Sequence, residues 1–136
     1  MRAVIQRVKK ASVTVGITQD DTESDADYIA KKITSLKLWP NAEGLQWKLN
    51  VKDAGYEILS VSQFTLYAVT SKGAKPDFHY AMKSTDSFPF YVSFLERLKA
   101  LHDAEKVKDG EFGAMMDVGI VNDGPVTIIL DSKDKK

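Results

Sequence analysis

The chain has 136 residues, 43% of them hydrophobic, which suits one compact domain with a core of its own. Nineteen basic residues cancel nineteen acidic ones, so the chain is not built to grip long nucleic acid by phosphate neutralisation, although a small footprint on a nucleic-acid end remains open. Cysteine is absent, which excludes disulfides, thiol nucleophiles and thiolate metal sites, and with only His79 and His102 as imidazoles no metal or other cofactor is expected.

Residues 2–8 alternate and are rich in β-branched side chains, which predicts a strand. Residues 11–15 predict a second, with Lys9-Lys10 as the turn between them. The opening is too short and too mixed for a signal peptide, and no apolar stretch approaches a membrane span, so a soluble cytoplasmic chain without a membrane partner is expected. Asp20-Asp21-Thr22 offers helix caps, with Glu23 and Asp25 in the first turn. Ala26, Ile29, Ala30, Ile33 and Leu36 follow at helical spacing, and Lys31, Lys32 and Lys37 lie toward the C-terminal end, which predicts a helix over 22–37. Leu38-Trp39 extends into a short strand before Pro40 and a turn at 41–44.

Residues 56–66 form the strongest strand pattern, and 70–75 a loop. A second helix is predicted from near Asp86, with Pro89 in its first turn and a stripe of Phe88, Tyr91, Val92, Leu95, Leu98 and Leu101. Asp109-Gly110 reads as a turn, 112–121 and 126–131 as two strands around a bend at 122–125, and 132–136 as a polar, frayed tail. The expectation is a single domain over 1–136 of mixed α/β (α+β) class. Its core would be a predominantly antiparallel or mixed β-sheet, with two main amphipathic helices outside, each covering one face.

Two segments stand out. Ser60-Val61-Ser62-Gln63-Phe64-Thr65-Leu66 and Val121-Asn122-Asp123-Gly124-Pro125-Val126-Thr127 are apolar runs interrupted by hydrogen-bonding groups, which a buried strand does not need unless something binds them. Pro125 removes a backbone donor, and the bond before it is where a cis peptide is cheap. Plainer readings exist beside these. Asn-Asp-Gly-Pro is by itself a turn between strands. Ser62, Gln63 and Thr65 read equally as outward positions or satisfied core polar groups. Arg7 reads as facing solvent, Met115 and Met116 as core filler, His79 and His102 as surface residues, and Lys9-Lys10 and Lys31-Lys32 as solvated faces.

At these residues the chain resembles the D-aminoacyl-tRNA deacylases, also called D-Tyr-tRNA deacylases. Ser62-Gln63-Phe64-Thr65-Leu66 and Asn122-Asp123-Gly124-Pro125-Val126-Thr127 are similar to that family's two signature motifs. Val4-Ile5-Gln6-Arg7-Val8, Ala11-Ser12-Val13-Thr14-Val15, Lys72-Gly73 with Lys75-Pro76, and Phe112-Gly113-Ala114 with Met116 resemble its flanks. Order and spacing agree from about residue 17 to the C-terminus. The resemblance departs near 15–18. There the family carries another short strand and a Gly-Leu-Leu-Val-Leu-type strand, and here Val15-Gly16-Ile17 runs straight into Thr18. About twenty residues, two strands' worth, are missing, and the expectation is that the natural chain contains them.

The resemblance implies hydrolysis of the ester of D-aminoacyl-tRNA, bound by its acceptor end, in the service of chiral proofreading during translation. It implies a homodimer with the active site at or near the subunit interface. There the Gly124-Pro125 pair, in cis, enters the partner's site and rejects L-substituents, with Val126 beside it. Arg7 would hold that pair, Met116 would lie near the terminal adenosine, and Lys72 and Lys75 are weaker candidates for phosphate contacts. The ester is already activated by its α-ammonium and the neighbouring ribose hydroxyl, so positioning and oxyanion stabilisation matter more than a strong nucleophile. Ser62, Gln63, Phe64 and Thr65 are therefore the catalytic candidates. Backbone donors around Gln63-Phe64-Thr65 would hold the carbonyl oxygen, with Thr65 as nucleophile the lesser alternative because no base is evident. Rejection of L-substituents alone would also leave glycyl-tRNA a substrate. Two rival readings stay open: a non-catalytic nucleic-acid-end binding module on the same fold, and an RNA-independent esterase or amidase.

Overall fold

The computed structural model describes residues 1–8 and 11–135, so the turn expected at Lys9-Lys10 and the last tail residue, Lys136, lie outside the described residues. Strand β1 (Arg2–Val8) buries every second residue, which places Ala3, Ile5 and Arg7 on one face together with Met1. It pairs antiparallel with β2 (Ala11–Gly16) on one side and with the long β5 (Asn122–Asp131) on the other. β2 pairs in parallel with β3 (Ile58–Ser62), and β3 in parallel with β4 (Val107–Asp109). Among the described residues the order across the sheet is β4-β3-β2-β1-β5. The sheet is thus evenly mixed rather than predominantly antiparallel.

The parallel half follows from the connections, because parallel neighbours need a crossover. Helix α1 (Glu23–Ser35) and the short α2 (Val51–Ala54) lie between β2 and β3, and α3 (Ser84–Leu101) lies between β3 and β4. Helix α1 starts where the sequence signals, with the Asp25 carboxylate accepting from the Thr22 N–H at 2.9 Å and its hydroxyl at 3.1 Å. The short α2, which no periodicity announces, opens at Asn50, whose Oδ1 accepts from the Asp53 N–H at 2.8 Å. It closes at Gly55, whose φ of 70° needs a glycine.

The two long helices share one face of the sheet instead of taking one each. Ile29, Ala30 and Ile33 of α1 and Tyr91, Phe94 and Leu98 of α3 join Met1, Ala3, Ile5, Val13, Val15 and Ile58 in a single buried cluster. Arg97 of α3 ties the helices together through Glu23 at 3.4 Å and Asp27 at 3.8 Å. The opposite face carries Val4, Thr14 and Ile129, the last 73% exposed. No helix among the described residues is long and apolar enough to cross a membrane.

Several sequence expectations need correction. β3 ends at Ser62 rather than 66, because Gln63 (φ −145°, ψ 84°) turns the chain into a 3-10 turn over Phe64–Tyr67. Helix α3 begins at Ser84, two residues before Asp86, which moves Pro89 from the first turn to the second. Its buried stripe is Ser87, Tyr91, Phe94, Leu95 and Leu98, whereas Phe88 and Val92 are exposed. Tyr91, Leu95 and Leu98 of the expected stripe are buried, and Leu101 packs against the same core, so only the edge of the stripe differs. Residues 112–121 form no strand, since no neighbouring strand offers them a ladder; Phe112 instead packs on the rings of Phe88 (5.1 Å) and Tyr91 (5.7 Å). Arg7 does not face solvent: it shares the parity of Ile5 and is 8% exposed. Met115 and Met116 are not core filler, being 101% and 37% exposed.

Candidate functional site

At the end of β3 the polar residues of the first motif reach a cleft of about 740 Å³. Its floor is Val15, Ile17 and Val61; the motif supplies Ser62, Gln63, Phe64 and Thr65; Phe78, Ala81 and Met82 close one side, and Ala114 and Met116 another. Among the described residues that line it there is no Asp, Glu, His, Lys, Arg or Tyr. The main chain explains why the motif opens here. The Gln63 N–H still bonds to Val15 O at 2.7 Å, continuing the β2–β3 ladder, and then the 3-10 turn leaves. The N–H groups of Phe64 and Thr65 make no hydrogen bond to the described residues and stand at the start of that turn. The Gln63 side-chain amide donates to Thr65 Oγ1, which fixes both side chains against each other. Gly16 lies beneath: a Cβ there would sit 2.9 Å from Leu66 Cβ and 3.0 Å from Gln63 O, so the close approach of β2 to the turn requires glycine.

Ser60, one pleat away, is a satisfied core group, fully buried with its hydroxyl 2.9 Å from Tyr91 Oη. Burial pushes the Tyr91 phenol up to about 12. A second concavity of about 590 Å³ lies at Arg2, Val4, Leu66, Ile129 and Asp131, but none of the polar motif side chains enters it, and Arg2 and Asp131 already pair with each other at 2.9 Å.

The second motif lies elsewhere. Arg7 pairs with Val126 and Val8 with Asn122, so one step along β1 spans Asp123, Gly124 and Pro125 on β5 as a projecting bulge. The Gly124-Pro125 bond is cis, and both residues are exposed. The base of the bulge is closed by Asn122, whose Nδ2 donates to Thr127 Oγ1 at 3.0 Å and whose Oδ1 accepts from the Val126 N–H at 3.3 Å. Arg7 anchors it from below: Nε donates to Asp123 O at 3.2 Å, and one terminal nitrogen donates to Leu38 O at 2.7 Å. Gly124 has φ 126°, and a Cβ there would meet Val126 Cγ2 at 2.8 Å and Val126 N at 2.9 Å.

The chain does not by itself bring the two motifs together. Ser62 pairs with Val15, Val15 with Ala3, and Ala3 with Leu130, so the first motif is three strands away and at the opposite end of β1. At ordinary strand spacing that is about 14 Å across and about 14 Å along, roughly 20 Å in all. Met116 joins Ser62 to Thr65 at the cleft, while Arg7, Gly124, Pro125 and Val126 form the distant group. Lys72 and Lys75 are exposed on the 70–75 loop and line neither. The sequence reading missed Phe78, Ala81, Met82, Ser84 and Ser87 of the cleft wall. They come from a turn and the start of α3, and no periodicity ties them to the motif. Among the described residues no group of three or more His, Asp or Glu side chains is placed to hold a metal.

Comparison with known proteins gives three findings. The family described as D-Tyr-tRNA(Tyr) deacylase matches residues 4–131. Curated proteins named D-aminoacyl-tRNA deacylase are 51% identical in Dictyostelium discoideum (99% of this chain, 100% of the relative) and 47% in Saccharomyces cerevisiae (97% and 99%). In Homo sapiens, D-aminoacyl-tRNA deacylase 1 is 46% identical, with 97% of this chain and 70% of the relative covered. A solved structure described as "c-Myc DNA Unwinding Element Binding Protein" superposes with a TM-score of 0.92 at 42% identity, covering 96% of this chain and 98% of that one. Another, of a probable eukaryotic D-amino acid tRNA deacylase, has a TM-score of 0.81 at 14% identity and speaks for the fold alone.

Proposed function

This chain belongs to the D-Tyr-tRNA(Tyr) deacylase family, and we propose on that premise that its cleft takes the aminoacylated end of D-aminoacyl-tRNA and hydrolyses the ester to free D-amino acid and tRNA. The observation that carries the reading is a cleft lined, among the described residues, by the motif and by no ionisable side chain. Such a site offers no general base, so the substrate's own ribose hydroxyl and a water supply the nucleophile. The N–H groups of Phe64 and Thr65 receive the developing oxyanion, Ser62 and Gln63 shape the wall beside them, and Met116 covers the nucleoside.

Handedness falls to the other motif. Side-chain contacts would select the amino acid, whereas rigid main chain beside Cα excludes an L-substituent and tolerates any D-side chain. In one protomer Gly124 and Pro125 lie roughly 20 Å from the cleft. The reading therefore places the bulge of a second copy at each cleft, in a homodimer, with Arg7 holding it and Val126 forming its shoulder. The apolar, exposed Val118, Val121 and Ile129 support burial by such a partner.

Deacylation of matched D- and L-tyrosyl-tRNA tests the proposal: the D-ester is turned over and the L-ester spared. Equal rates for both, or for neither, would refute it. A nucleic-acid-end binding module is a second reading, favoured by the name of the structural relative at 42% identity. It would retard the RNA without releasing amino acid. We also propose that the natural chain carries a further segment between Val15 and Thr18. The alignment to the Dictyostelium relative spans 152 positions against the 136 residues here, so at least sixteen have no counterpart. An intact mass above 15.1 kDa is expected, and a mass at that value would contradict it.

A further inference from the structure

Outside the cleft, one exposed aromatic pair has no role in the chemistry above. His79 and Tyr80 are the corner residues of a tight turn, closed by the Ala81 N–H donating to Phe78 O at 3.0 Å. Phe78 and Ala81, the ends of that turn, both line the cleft, so the corner stands on its rim. The two rings lie against each other with centroids 3.9 Å apart, and Tyr80 is 52% exposed. Burial does not account for this pair: it covers no core.

The turn is nevertheless held firmly. Thr18 Oγ1 donates to Tyr80 O at 2.7 Å, the Gln19 N–H donates to the same oxygen at 3.1 Å, and the Gln19 side-chain amide donates to His79 O. The Asp77 carboxylate bonds both the His79 N–H, at 3.1 Å, and its ring Nδ1, which fixes the imidazole plane. That bond to His79 is the first cause holding the Asp77 carboxyl below the usual range. Lys75 precedes the turn and Lys83 follows it, both exposed, so lysines flank the aromatic pair along the chain.

Exposed rings on a rigid backbone, flanked by lysines, are what single-stranded nucleic acid recognises: a base stacks, and the phosphates on either side meet ammonium groups. We infer that the His79–Tyr80 pair is a stacking platform for the unpaired nucleotides that precede the terminal aminoacyl nucleoside of the substrate. The inference rests on the deacylase reading and extends it, because the cleft takes the last nucleoside and the platform the one or two before it.

The test compares two substrates, D-tyrosyl-tRNA and the minimal D-tyrosyl-adenosine, with Tyr80→Leu and Tyr80→Phe. Tyr80→Leu is expected to raise KM for D-tyrosyl-tRNA about ten-fold at unchanged kcat, the loss of one base stack. Turnover of D-tyrosyl-adenosine stays as it was, and Tyr80→Phe restores the lower KM. An amide-linked D-tyrosyl-tRNA that cannot be hydrolysed reads the same contact as a Kd. An unchanged Kd and KM in Tyr80→Leu, or equal losses on both substrates, would overturn the platform. Absence of hydrolysis by the unaltered protein, with Kd still sensitive to Tyr80, would overturn the deacylase reading and leave the platform standing.

Discussion

Replacing Arg7 with methionine probes how the projecting bulge is held. The side chain is buried, and its guanidinium donates to Leu38 O at 2.7 Å and to Asp123 O at 3.2 Å, with Asp123 Oδ2 at 3.5 Å. Methionine keeps most of the packing of the stem and removes every donor. A hydrogen bond from a charged group contributes about 1.5–3 kcal/mol, and the Leu38 carbonyl would be left buried without its partner. The Asp123 ion pair adds little, because that carboxylate is 58% exposed. The loss comes to about 2–4 kcal/mol against the ~5–15 kcal/mol that holds such a domain, so the variant still folds. With a urea slope of about 2 kcal/mol per molar, the unfolding midpoint should fall by about 1–2 M. Fluorescence of the buried Trp39 follows it. The freed bulge should also raise hydrolysis of L-tyrosyl-tRNA. An unchanged midpoint, or a lowered midpoint with L-ester rejection intact, would refute the anchoring role.

Thr65→Ala should keep measurable D-ester turnover, reduced by about ten-fold or less, since its hydroxyl only receives the Gln63 amide and meets no base. Complete loss of single-turnover hydrolysis with substrate binding intact would make Thr65 the nucleophile. Glycyl-tRNA should be cleaved, because a gate that only rejects an L-substituent meets none on glycine; inertness in the same assay would count against pure steric rejection. Asp25 sets an acid limit. Burial pushes its carboxyl up, but bonds from the Thr22 N–H, Ser132, Lys133 and the Thr22 hydroxyl outweigh this and hold it well below the usual range. A folded value below the unfolded one means stability present above about pH 4 and lost as pH falls through the folded value. The difference in urea midpoint between the unaltered chain and Asp25→Asn should therefore shrink from about pH 5 to about pH 2, and a constant difference would contradict it.

Much of the fold was legible because it is local. Period-two alternation located β1, and the 3.6-residue spacing with Thr22 and Asp25 located α1. What the sequence could not show is pairing. Nothing local says that β3 has parallel neighbours on both sides, or that residues 112–121, apolar as they are, have no strand beside them. The centre of the α3 stripe, Tyr91, Leu95 and Leu98, was legible; its edge was not, because Phe88 and Phe94 look alike in a pattern although only Phe94 faces the core. At the site, the two motifs were visible as polar interruptions of apolar runs. Their separation was not, since it depends on β1 and β2 lying between them. The cleft wall at Phe78 and Met82 and the burial of Arg7 likewise follow from tertiary placement.

The most direct measurement is the ratio of D- to L-tyrosyl-tRNA hydrolysis by Gly124→Ala. Its added methyl would lie 2.8 Å from Val126 Cγ2 and 2.9 Å from Val126 N, so the bulge must move while the cleft keeps every lining residue. D-ester hydrolysis is expected to persist and L-ester hydrolysis to rise toward it. L-ester rejection as strict as in the unaltered protein, with the altered bulge verified, would mean that handedness is judged elsewhere.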